Sequence, residues 1–154
     1  MRHPTWGIVT PGYFIPDDAD PQFGALSEFV IDRAIGDWSD FLAQRGSIEI
    51  AINVPIGFFQ RPEALRYLCE KMPNHPAFAG LIIEINAVEI IRNLELAKSV
   101  SMQLRFHNIG ISIDDLGMEW PSLTGMSDFP FIELKVDRKF VTAQSSACVT
   151  LFGR

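Results

Sequence analysis

Four short segments of this chain alternate between aliphatic and non-aliphatic residues, and longer amphipathic stretches separate most of them. Residues 48–54 set Ile48, Ile50, Ile52 and Val54 against Glu49, Ala51 and Asn53. Residues 81–86 carry Glu84 and Asn86 on the minor parity, residues 109–115 carry Ser112 and Asp114, and residues 131–137 carry Glu133, Lys135 and Asp137. A period of two is the signature of a strand with two unlike faces. The intervening stretches have helical spacing instead. Residues 21–44 place Leu26, Val30, Ala34, Trp38 and Phe41 at steps of three or four. The stretch opened by Pro62 has Leu65, Leu68, Cys69 and Met72 before Pro73, and residues 89–106 have Ile90, Leu94, Ala97 and Leu104. Strands alternating with helices predict βαβ crossovers and a parallel sheet. A strand sandwiched between two helical layers reads as a continuous aliphatic run. Here one parity is aliphatic and the other collects small, polar and charged groups, several of them at the strands' C-terminal ends. That pattern predicts an α/β fold of TIM-type barrel architecture, with mainly parallel strands, helices outside and a functional rim at the C-terminal ends.

Composition narrows the function classes. Hydrophobic residues make up 47% and charged residues 21% of the 154, the balance of a folded globular protein. Thirteen Lys and Arg against nineteen Asp and Glu give a net charge of −6. That argues against a nucleic-acid footprint or an anionic-membrane surface, both of which need basic patches. No apolar run is long enough for membrane insertion, and Met1-Arg2-His3-Pro4 leads into no signal-peptide core. Cys69 and Cys148 make no disulfide framework or zinc spacing, which points to a reducing cytoplasm. His3, His75 and His107 share no ligand spacing, and no phosphate loop, dinucleotide fingerprint or Ser/His/Asp set is present. Residues 6–20 read as a loop, and Asp20-Pro21 as a helix start with Asp as N-cap.

Read in order, these segments resemble the EAL domain, a bacterial module that hydrolyses cyclic di-GMP on a modified (β/α)8 barrel. Gly7-Ile8-Val9-Thr10-Pro11 and Phe14-Ile15-Pro16 are similar to the family's "G-x-x-x-P-x-x-F-I-P". Asn53-Val54-Pro55 stands at its "N-x-S", Glu84-Ile85-Asn86-Ala87 at "E-x-T-E", and Asp114-Asp115-Leu116-Gly117 at "D-D-F-G". Residues 134–141, Leu-Lys-Val-Asp-Arg-Lys-Phe-Val, resemble "L-K-I-D-x-x-F-V". The match is collinear over about residues 7–141, leaving 142–154 as a divergent tail of one partial domain spanning 1–154. The resemblance implies that Asn53, Glu84, Asp114 and Asp115 are metal ligands, that the cofactor is Mg²⁺ or Mn²⁺, and that Lys135 is a catalytic residue near the attacking water.

The departures matter equally. The family's signature strand, which carries the Glu of E-A-L ahead of "F-I-P", has no counterpart. The literal Glu63-Ala64-Leu65 lies in the Pro62 helix and is a decoy. The second Glu of "E-x-T-E" is Ala87, the loop after the paired Asp is rewritten as Met118-Glu119-Trp120-Pro121, and residues 142–154 match none of the late catalytic segments. Trp120, in that loop, is a candidate for packing or for stacking on a base. Two readings follow. The favoured one is a degenerate, non-catalytic regulatory or protein-interaction module of cyclic di-GMP signalling. The alternative is an active Mg²⁺- or Mn²⁺-dependent cyclic di-GMP phosphodiesterase, because the five site residues are all kept. A barrel of this type needs about 250 residues, so the barrel is expected to be incomplete. Its open strand edges are then expected to be covered by a second copy, a protein partner or the tail at Val149-Thr150-Leu151-Phe152.

Overall fold

A computed structural model describes residues 2–10, 13, 15, 22–117 and 128–139. A short hairpin of two-residue strands comes first, β1 (Arg2–His3) against β2 (Gly7–Ile8), where the sequence predicts only loop from residue 6. The His3 Nδ1 accepts the Thr5 and Trp6 N–H groups and so ties its turn. Then follow α1 (Gln22–Asp37), β3 (Ile48–Asn53), α2 (Ala64–Lys71), β4 (Phe78–Asn86), α3 (Ala87–Arg92), α4 (Leu94–Leu104), β5 (Ile109–Leu116) and β6 (Glu133–Val136). The four long-range strands form one parallel sheet in the order β3-β4-β5-β6. The α/β fold with parallel strands and crossover helices is the one predicted. Among the described residues the sheet is open, with β3 and β6 as its edges.

The alternation decides where the core sits. Leu81, Ile83 and Ile85 of β4 and Ile109, Ile111 and Ile113 of β5 are all 2% exposed or less. They pack with Ile90 of α3 and with Ala97, Val100 and Leu104 of α4 in one apolar cluster. The opposite parity of β4, Ile82, Glu84 and Asn86, is only half-buried. At the N-terminal end of β4 a close approach requires glycine. Gly80 has φ +143, and a Cβ there would stand 2.9 Å from the Asn108 carbonyl oxygen.

Four boundaries differ from the periodicity, each for a local reason. The long first helix widens at Trp38, where a π-helical turn runs to Leu42 and the Ala43 N–H bonds the Trp38 carbonyl. The wider turn rotates the apolar stripe, so Trp38 is 2% exposed while Phe41, expected in the core, is 63% exposed. The stretch 89–106 is two helices, the first starting at Ala87, because Asn93 breaks the ladder with φ −127 and its side-chain amide donates to the Glu89 carbonyl. A 3₁₀ turn, Ile56–Gln60, precedes α2 and buries Ile56, Phe58 and Phe59. The last strand is shorter than residues 131–137, although the Ile132 and Asp137 N–H groups still bond β5 carbonyls on either side of it. The N-cap pair Asp20-Pro21, Trp120, the rewritten loop beyond Gly117 and the 149–152 tail lie outside the described residues.

Candidate functional site

Parallel register brings the polar parity into rows. Asn53 of β3 pairs with Glu84 of β4, Glu84 with Ser112 of β5, and Ser112 with Glu133 of β6. One row further toward the C-terminal ends, Asn86 pairs with Asp114. These residues need no loop to gather them, because the sheet itself stacks them in layers as a barrel interior does.

Asp115 is different. Strict alternation aims it at the helix side, away from Asp114. The β5–β6 register shifts between Ile113 and Leu116, so that Asp114 and Asp115 together oppose Lys135. Asp115 also has φ +53, a left-handed conformation that aspartate tolerates better than most residues. This bulge turns both carboxylates toward one cavity, as bulges beside functional sites do. The periodicity alone gives no sign of it.

The cavity has a volume of about 600 Å³. Its polar wall is Asn53, Glu84, Asn86, Glu89, Asp114 and Asp115, and its apolar wall comes from α1 through Phe23, Leu26 and Val30. Four of the five sequence-predicted site residues therefore line one space. Lys135 joins them through Glu84, whose carboxylate accepts from its ammonium, and Glu133 stands 3.9 Å away on the other side. The bond to Glu84, followed by the charges of Glu84, Glu133 and Asp114, holds the Lys135 ammonium above its usual pKa. It stays a cation at every physiological pH. Ser112, wholly buried, donates to Glu133 at 2.9 Å, which fixes the next carboxylate of the row.

Two further members are given no role by the motif reading, although Asn86 lies within it. Asn86 caps α3 by accepting the Val88 N–H at 2.9 Å. Glu89 reaches across to the Ile56 N–H, also at 2.9 Å. Glu63 of the literal E-A-L tripeptide is elsewhere: it ends the turn before α2 and pairs with Arg61 at 3.1 Å. Burial pushes the Cys69 thiol up, which marks it as a packing residue rather than a nucleophile.

The donor chemistry fits a hard divalent cation. Asn53, Glu84, Asp114 and Asp115 offer only oxygen, the ligand type of Mg²⁺ and Mn²⁺. Among the described residues the carboxylates stand around the cavity and do not converge in a cluster of three, with Lys135 serving as the counter-ion of Glu84.

Comparison with known proteins agrees with this fold. The model of the EAL domain family matches residues 1–148. The chain is 30% identical over 152 residues to the bifunctional diguanylate cyclase/cyclic di-GMP phosphodiesterase MucR of Pseudomonas aeruginosa, covering 91% of this chain and 21% of MucR. It superposes on the solved PaMucR phosphodiesterase in its c-di-GMP complex with a TM-score of 0.76 and 28% identity, covering 92% of this chain and 62% of that one. On Klebsiella pneumoniae BlrP1, solved as a manganese/cy-diGMP complex, the TM-score is 0.72 at 23% identity, over 92% of this chain and 36% of BlrP1; that likeness speaks for the fold. The chain thus spans about a fifth of the length of the curated relatives it matches. No helix among the described residues is long and apolar enough to cross a membrane.

Proposed function

Since the chain belongs to the EAL domain family, we propose that it serves cyclic di-GMP signalling as a cytoplasmic, non-catalytic module whose rim binds the dinucleotide without hydrolysing it. The observation that carries this reading is Ala87. It stands at the family's second glutamate position and is wholly buried in the first turn of α3, so the carboxylate that the family resemblance implies there is missing. A divalent cation held by Asn53, Glu84, Asp114 and Asp115 would neutralise the phosphoryl oxygens of the dinucleotide. The apolar wall of Phe23, Leu26 and Val30 is suited to the flat faces of its bases. Incubation of the purified chain with cyclic di-GMP and Mg²⁺ or Mn²⁺ is expected to yield no linear dinucleotide. Sustained, metal-dependent turnover would replace this reading with the second one, an active phosphodiesterase, which the retention of all five site residues favours.

Among the described residues β3 and β6 are the edges of the sheet, which supports a second role as an interaction surface, taken up by a second copy or a protein partner. Light scattering of the isolated chain is expected to report a dimer. A monomer at every concentration, with no partner retained, would remove this role.

A further inference from the structure

Glu89 stands at a position where an isolated helix would use a glutamate locally. It is the third residue of α3, behind the N-cap Asn86, and a glutamate at that position ordinarily folds back onto the N–H of its own N-cap. Here it turns outward, across 33 positions of sequence, and takes the Ile56 N–H at 2.9 Å. Ile56 opens the 3₁₀ turn Ile56–Gln60, whose leading N–H groups have no partner within the turn. The residue at its N-cap is Pro55, which has no side-chain acceptor and makes no side-chain cap. A carboxylate from the next βα unit supplies what proline cannot, at the helix end where negative charge is favoured.

The consequence falls on Asn53. Just beyond it, the Val54 N–H bonds the Glu84 carbonyl at 3.2 Å, and the Val54 side chain is wholly buried. Pro55, with its fixed φ of −67, is all that separates this anchor from the bond at Ile56. The segment leaving Asn53 is therefore pinned twice, once to the strand that carries Glu84 and once to the helix that follows it. We infer that Glu89 is a positioning residue for the rim, holding the 53–56 segment so that Asn53 keeps its place opposite Glu84. Glu89 needs no contact with a cation or substrate for this. The inference rests on the reading of the rim as a divalent-cation site only for its effect on ion affinity.

The test uses Glu89→Ala, which removes the acceptor, Glu89→Gln, which keeps an acceptor oxygen without the charge, and Glu95→Gln, which removes a charge from the exposed face of α4. Amide exchange at Ile56 and the side-chain amide resonances of Asn53 report positioning without any ligand. Mn²⁺ titration followed by electron paramagnetic resonance reports the ion. Glu89→Ala is expected to speed exchange at Ile56, shift the Asn53 side-chain resonances and weaken Mn²⁺ about tenfold, the lower end of what a ligand-orienting partner contributes. Glu89→Gln is expected to bring all three back to near the wild-type values, and Glu95→Gln to leave them unchanged. If Glu89→Ala fails to fold, the Ile56 amide proton in Glu89→Gln decides: it should move upfield, as a carboxylate acceptor gives way to an amide, yet stay protected. Unchanged exchange at Ile56 and unchanged Asn53 resonances in Glu89→Ala would overturn the inference, as would an Ile56 amide indifferent to Glu89→Gln. A wild-type chain that binds no Mn²⁺ would defeat the cation reading alone, because exchange and the Asn53 resonances still decide the role of Glu89.

Discussion

The two faces of the β4–β5 pair share a backbone and differ in almost everything else. The helix-side face is six aliphatic side chains at 2% exposure or less, interchangeable in chemistry and fixed by volume. The cavity-side face carries Glu84 paired with Ser112 and Asn86 paired with Asp114, beyond Ile82 and Gly110. Stability is concentrated on the first face and chemistry on the second. A substitution on one should therefore leave the property of the other largely intact.

The largest expected effect comes from the aliphatic face. Ile83→Ala empties a site that is wholly buried at the centre of the sheet and should cost about 2–5 kcal/mol, read from the urea midpoint. Such a loss is a large part of a domain's total stability. A cost below about 1 kcal/mol would mean that the helices do not close on this face as described. On the other face, Asp114→Asn should change the urea midpoint little, since Asp114 is only half-buried. It should weaken Mn²⁺ binding about tenfold or more, equivalent to about 1.4 kcal/mol. If it destabilised the chain as Ile83→Ala does, with no effect on the ion, the division between the faces would fail.

The same contrast explains what could be read in the sequence. The aliphatic face was legible because alternation is a one-dimensional record of burial: Ile109, Ile111 and Ile113 announce a strand and its buried side together. The polar parity was legible for the same reason, since Asn53, Glu84 and Ser112 all stand on it, whereas the register that aligns them in one row came only with the structure. Asp115 was recognisable through its motif, yet its aim depends on a bulge against β6 that no local pattern encodes. Phe41 was misplaced into the core because helical periodicity assumes 3.6 residues per turn, and a π turn intervenes at Trp38. The break at Asn93 escaped because the apolar stripe runs on through it, while the asparagine side chain competes for the Glu89 carbonyl. Glu89 was invisible as a site residue, because its partner is a backbone N–H from another βα unit. Pairing and backbone irregularity, more than residue type, separate what was read from what was missed.

Turnover alone does not reach the central claim, which is that the cavity-side rim keeps its ligand while lacking the machinery to cleave it. Calorimetric titration of the chain with cyclic di-GMP, with and without Mn²⁺, does so most directly when the products are analysed afterwards. Saturable binding, strengthened by the ion, with the dinucleotide recovered intact is the predicted result. No heat at any concentration with Mn²⁺ present, or recovery of the linear dinucleotide, would contradict it.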